Sequence, residues 1–97
     1  MRYVWDPAKD ALNQRKHGLS LADGIPALED PGRYLWIDDR FDYGEVRIVT
    51  VGRSGSQILI VVSTERDLTE EDEEITRIIS VRKPKRYEED WFDLGRT

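Results

Sequence analysis

The sequence predicts an α+β domain: a mainly antiparallel β-sheet of about four strands, with two helices before it and one after. Three observations carry this. Runs rich in β-branched residues follow one another between residues 34 and 82, separated by turn-forming residues. A helix with clear start and stop signals spans residues 7–17, and a second helical stretch follows at once. Tyr87, Trp91 and Leu94, at i, i+4 and i+7, form a helical stripe near the end of the chain. At 97 residues, with no internal repeat and no linker, the chain reads as one domain over 1–97.

The elements follow in order. "YVW" at 3–5 is a strand or extended arm. Asp6 is placed to cap a helix and Pro7 to start it, because proline fixes a helical φ where its missing N–H costs nothing. Ala8, Ala11, Leu12 and Arg15 share one side of that helix, and Gly18 stops it after Lys16 and His17. Ser20 and Asp23 resemble a capping box opening a second helix over 20–29, with Leu21, Ile25 and Leu28 on one side. Gly24 and Pro26 make that helix short and irregular. "EDPGR" at 29–33 is a turn, and "YLWID" at 34–38 is a strand. "EVRIVTVGR" (45–53) and "QILIVVST" (57–64) form a hairpin, and the unbroken apolar run Ile58–Val62 requires cover on both faces. "EITRIISVR" (74–82) is a fourth strand, and Pro84 opens the last helix. The helices are expected against one face of the sheet.

Charge is unevenly spread. The net charge is −5, but residues 65–74, "ERDLTEEDEE", hold seven acids and one arginine, so the other 87 residues sum to +1. "RKPKR" at 82–86 is the basic counterpart. Such runs serve as solvated surface or as contacts for charged partners. The chain has no cysteine, hence no disulfide, which suits a reducing cytoplasm. It has no apolar stretch long enough to span a membrane and no signal-peptide core at the N-terminus, so a soluble, cytoplasmic protein is expected.

One histidine and no cysteine leave no metal constellation and no cofactor motif. "VGRSGS" at 51–56 is a turn between strands rather than a phosphate loop, and there is no G-x-S-x-G elbow. The chemistry still open to His, Arg, Lys, Glu and Tyr includes metal-independent RNA cleavage. There a base takes the 2′-hydroxyl proton, cations stabilise the phosphorane and an acid protonates the leaving oxygen. The candidates are His17 with Lys16, Glu45 with Arg47, Arg77, and Arg82 with Lys83. Strand alternation places Glu45, Arg47, Val49 and Val51 on one face, and Arg77 with Ile75, Ile79 and Val81. Arg47 and Arg77 then either pair with Glu45, Glu65 or Asp39 as structural bridges or form a cationic patch. Lys16 and His17 either complement the helix dipole or belong to a catalytic site.

Several stretches together resemble BrnT-type toxins, the ribonuclease toxins of type II toxin–antitoxin modules. They are "WDPAK", then Asn13, Lys16, His17 and Gly18, "DP" at 30–31, "DYGE.R" at 42–47, "VG" at 51–52, "VV.TER" at 61–66 and "RIISVRK" at 77–83. The resemblance implies a RelE-like fold and an endoribonuclease that inhibits translation. It also implies a BrnA-like antitoxin partner and a toxin–antitoxin heterotetramer. It makes His17, Arg47, Arg77 and Arg82 the catalytic candidates; the reading of the residues adds Lys16, Glu45 and Lys83 as substrate-binding, with Glu45 positioning an arginine or acting as base. This chain departs from the pattern in an acidic insert at about 67–74 and in Gly24 and Pro26. Two other readings stand beside it: a degenerate, non-catalytic module that binds a protein partner, and a homodimer formed through Trp91 and Phe92 of the last helix.

Overall fold

The computed structural model describes residues 2–39, 44–64, 67–68 and 71–95, with 67–68 and 91–95 described by backbone alone. In chain order the elements are β1 (Arg2–Val4), α1 (Pro7–His17), a 3₁₀ turn (Leu21–Gly24) running into α2 (Ile25–Leu28), β2 (Tyr34–Ile37), β3 (Arg47–Ser54), β4 (Gln57–Thr64), β5 (Asp67–Leu68), β6 (Glu74–Arg82) and α3 (Arg86–Gly95). The sheet order is β1-β6-β4-β3-β2, and β5 also pairs with β6. The expected hairpin and fourth strand are present and antiparallel. β1, expected as a strand or extended arm, extends the sheet beyond about four strands: it adds to the far edge of β6 in parallel, with Val4 beside Arg77.

One face of the sheet is covered by the 3₁₀ turn and α2. Leu59, Val61, Ile78 and Val81 project there and are buried with Leu19, Leu21 and Ala27. Each such aliphatic side chain removed from water contributes about 1.5–3 kcal/mol. The approach is close: a Cβ on Gly24 would lie 2.8 Å from Val81, and one on Gly52 only 2.4 Å from the carbonyl oxygen of Ala27. Gly24, which weakens the helix on propensity alone, is therefore what lets the turn sit on the sheet. The other face carries Val49, Val51 and Ile60. The run Ile58–Val62 thus feeds both cores, as its unbroken apolarity requires.

α1 has the predicted ends. Asp6 accepts a hydrogen bond from the Ala8 N–H at 2.8 Å, and Gly18 adopts φ +70°. Its packing face is not the predicted one. Ala8, Ala11, Leu12 and Arg15 are exposed, and the inward stripe is Asp10, Asn13 and His17. The helix is held by hydrogen bonds where an apolar stripe was expected. Asp10 accepts from the Leu21 N–H at 2.8 Å. Asn13, buried, donates to the carbonyls of Leu19 and Val81 at 2.8 and 2.9 Å and accepts from the Val81 N–H at 3.1 Å. Beyond Arg77 the edge of β6 has lost β1, and the Asn13 amide stands in for the missing strand.

The helices do not all lie on one face, as the sequence suggested. The first turn of α3 sits over the face that carries Val49, where Tyr87 and Glu88 join Trp36 and Val49 around a cavity. β2 ends the sheet, with Leu35 and Ile37 more than half exposed at 53% and 61%. In the acidic segment, Glu74 opens β6 as expected, and Asp72 takes a positive φ of 59°. Glu65, Thr69 and Glu70, and the side chains of Trp91 and Phe92, lie outside the described residues.

Candidate active site

A β-bulge decides which arginines meet. Val61 stands beside Val81 and Ser63 beside Ile78, with a register shift between Val62 and Ser63. Two residues on β4 are therefore matched by three on β6. Strict alternation would put Arg77 on the face of Val81 and opposite to Arg82. With the extra residue, Val81 and Ile78 both enter the helix-covered core, and Arg77 and Arg82 both emerge on the other face. The predicted grouping of Arg77 with Val81 is corrected by this one residue. Arg47, alternating along β3 with Val49 and Val51, shares that face with both.

Arg47 and Arg77 flank Thr64. Arg47 is the cross-strand partner of Thr64, whose hydroxyl accepts the Arg77 N–H at 3.1 Å. Glu45 binds both guanidinium groups: its Oε1 lies 3.6 Å from Arg47 and in direct hydrogen-bonded contact with Arg77. Arg77 and Glu45 remain open to solvent, while Arg47 is mostly covered. The expected structural bridge and the expected cationic patch are thus the same cluster. Two guanidinium groups share the Glu45 carboxylate at the sheet surface. Across from Arg47, Asp38 is buried and donates its backbone N–H to the Arg47 carbonyl at 2.8 Å.

Arg82 stands across from Ile60, which pairs with Val51, four positions along β3 from Arg47, and is held differently. Its two terminal nitrogens donate to the two carboxylate oxygens of Glu88 at 2.8 and 2.9 Å, and the Lys85 N–H adds a third bond at 2.8 Å. The hydrogen bonds from Arg82 hold the Glu88 carboxyl below its ordinary value, against the opposing effect of burial, with the Lys85 N–H acting in the same direction as Arg82. Between this pair and Asp38 opens a cavity of about 290 Å³, whose walls include Trp36, Asp39, Lys85 and Tyr87.

The remaining candidates stand apart. Neither Lys16 nor His17 lines this cavity. His17 lies one turn beyond Asn13 on the inward side of α1, and its side chain makes no hydrogen bond or ion pair among the described residues. Lys83 borders a separate hollow with Arg53 and Gln57. Glu73, just before β6, pairs with Arg2 at 3.8 Å, at the end of β6 nearest Arg77. No group of three or more His, Cys, Asp or Glu positioned to hold a metal occurs among the described residues. Among the same residues no helix is long and apolar enough to cross a membrane.

Sequence reasoning missed Asp38, Trp36 and Glu88. Asp38 had a signal, since an acid ending an apolar strand beside a cationic one implies cross-strand pairing. Glu88 had one too, because a carboxylate at Arg82+6, just past a proline, opens the last helix. Nothing in the sequence ties either to a cavity.

The chain matches the model of the family described as "Ribonuclease toxin, BrnT, of type II toxin-antitoxin system" over residues 5–88. No curated protein matches it.

Proposed function

The chain belongs to the BrnT family of type II toxin–antitoxin ribonuclease toxins, and from that premise we propose that it cleaves RNA without a metal ion and arrests translation, using the sheet face of Arg47, Arg77 and Arg82. The observation that supports this is the row Arg47–Glu45–Arg77, where two guanidinium groups converge on one half-open carboxylate. In this scheme an RNA phosphate takes the place of Glu45 between the arginines. The displaced Glu45 accepts the 2′-hydroxyl proton, the 2′-oxygen attacks phosphorus, and the arginines stabilise the phosphorane. The P–O5′ bond breaks to leave a 2′,3′-cyclic phosphate and a 5′-hydroxyl, whose oxygen is protonated by water or by an acid of the protein. Arg82 supplies a flanking cation once it leaves Glu88. His17 ranks below the arginines because its side chain makes no hydrogen bond or ion pair with Glu45, Arg47 or Arg77.

A BrnA-like antitoxin in a heterotetramer completes the reading, and light scattering of the co-expressed pair measures its stoichiometry. Purified chain incubated with labelled RNA and EDTA should give cyclic-phosphate ends. Arg77→Ala and Arg47→Ala should abolish them, while His17→Ala should stay within about tenfold of the parent. Intact RNA with folded wild-type protein would overturn the proposal. A non-catalytic, partner-binding module is the second reading. It is favoured by one observation: Glu45 and Glu88 already neutralise much of the positive charge that RNA would need.

A further inference from the structure

The cavity beside the arginine row has the chemistry of a nucleobase pocket rather than a phosphate pocket. Three carboxylates, Asp38, Asp39 and Glu88, face two cations, Arg82 and Lys85. Arg82 is already bound in a fork to Glu88. An excess of acid repels a phosphate and suits a group that offers N–H donors. Two partly exposed aromatic rings, Trp36 and Tyr87, line the same hollow. Unstacked RNA bases are typically held by rings of this kind and read along their Watson–Crick edges.

The carboxylates are not equivalent. Glu88 is occupied, and Asp38 is buried beside Arg47. Asp39 is exposed and makes no hydrogen bond or ion pair among the described residues. A carboxylate pairs best with two adjacent donors. Of the four RNA bases, guanine alone presents two different donor nitrogens, N1–H and N2–H₂, side by side on that edge. Asp38 links the cavity to the phosphate row as the cross-strand neighbour of Arg47, about 5 Å away in the sheet.

We propose that this cavity binds a guanine base, stacked against Trp36 and Tyr87 and read by Asp39, next to the phosphate held at Arg47 and Arg77. The inference rests on the ribonuclease reading and adds a base preference to it.

The test is equilibrium binding of guanosine, inosine, adenosine, cytidine and uridine 3′-monophosphates to the full chain by calorimetry. The guanosine nucleotide should bind about tenfold or more tightly than the other four, inosine losing the advantage because it lacks N2–H₂. Asp39→Asn should remove the guanine preference and leave the other affinities unchanged. Trp36→Ala should weaken guanosine binding about tenfold, and Trp36→Phe should restore most of it. Equal binding of all five, or a preference indifferent to Asp39→Asn, overturns the pocket. Selective guanosine binding by a protein that leaves RNA intact sinks the ribonuclease reading and keeps the pocket. Cleavage without base preference does the reverse.

Discussion

Glu88→Gln isolates the contact that fixes α3 to the sheet. The wild-type carboxylate makes two bonds to Arg82 and one to the Lys85 N–H, all at 2.8–2.9 Å, and is itself buried. A hydrogen bond to a charged partner contributes about 1.5–3 kcal/mol when well covered. Arg82 is 34% exposed, so solvent screening lowers the value of its share. Glutamine keeps the shape and one acceptor but loses the charge, which gives an expected loss of about 2 kcal/mol at pH 7. For a domain of this size that is a drop of roughly 8–16 °C in Tm. The sign with pH follows from the direction of the shift. The folded-state value lies below the ordinary 4.5, so the charged pair adds stability above pH 4.5 and loses it as pH falls through the folded-state value. Urea unfolding of both proteins at pH 7, 5 and 3 should show the gap full at the first two and closing at the third. A gap that is equal at pH 7 and pH 3, or absent at pH 7, refutes the reasoning.

Other substitutions reach the remaining joints. Asn13→Ala strands the N–H and carbonyl of Val81 and the Leu19 carbonyl, and should cost about 2–3 kcal/mol by urea denaturation. Gly52→Ala drives a methyl into the Ala27 carbonyl oxygen and should cost about 2–3 kcal/mol, read as a fall in Tm. Arg77→Ala touches a solvent-exposed ion pair, so its stability change should stay under about 1 kcal/mol. Its RNA cleavage should nevertheless fall at least about 100-fold in single-turnover assays.

What could be read from the sequence was what depends on near neighbours. Asp6, Pro7 and Gly18 fix the ends of α1 because caps and a left-handed stop are local chemistry. The β3–β4 hairpin follows from two apolar runs around a glycine turn. The inward side of α1 was misread because pattern rules reward apolar stripes, whereas this helix meets an unpaired strand edge that needs a hydrogen-bonding amide. The company of Arg77 was misread because a single bulged residue reverses side-chain parity, and nothing in "RIISVR" marks where the extra residue falls. The arginines were picked out one by one. Their convergence, and the hollow beside them, depend on strands that only tertiary pairing brings together.

β2 has a consequence for handling the protein. Among the described residues no strand pairs with its outer edge, and Leu35 and Ile37 are uncovered beside it. An edge that is apolar and unguarded by lysine or proline along its length is a template for any other extended chain. The folded molecule therefore carries its own concentration limit. Produced alone it should cloud and precipitate as the concentration rises. A single lysine at position 35 should raise its solubility while leaving the fold in place.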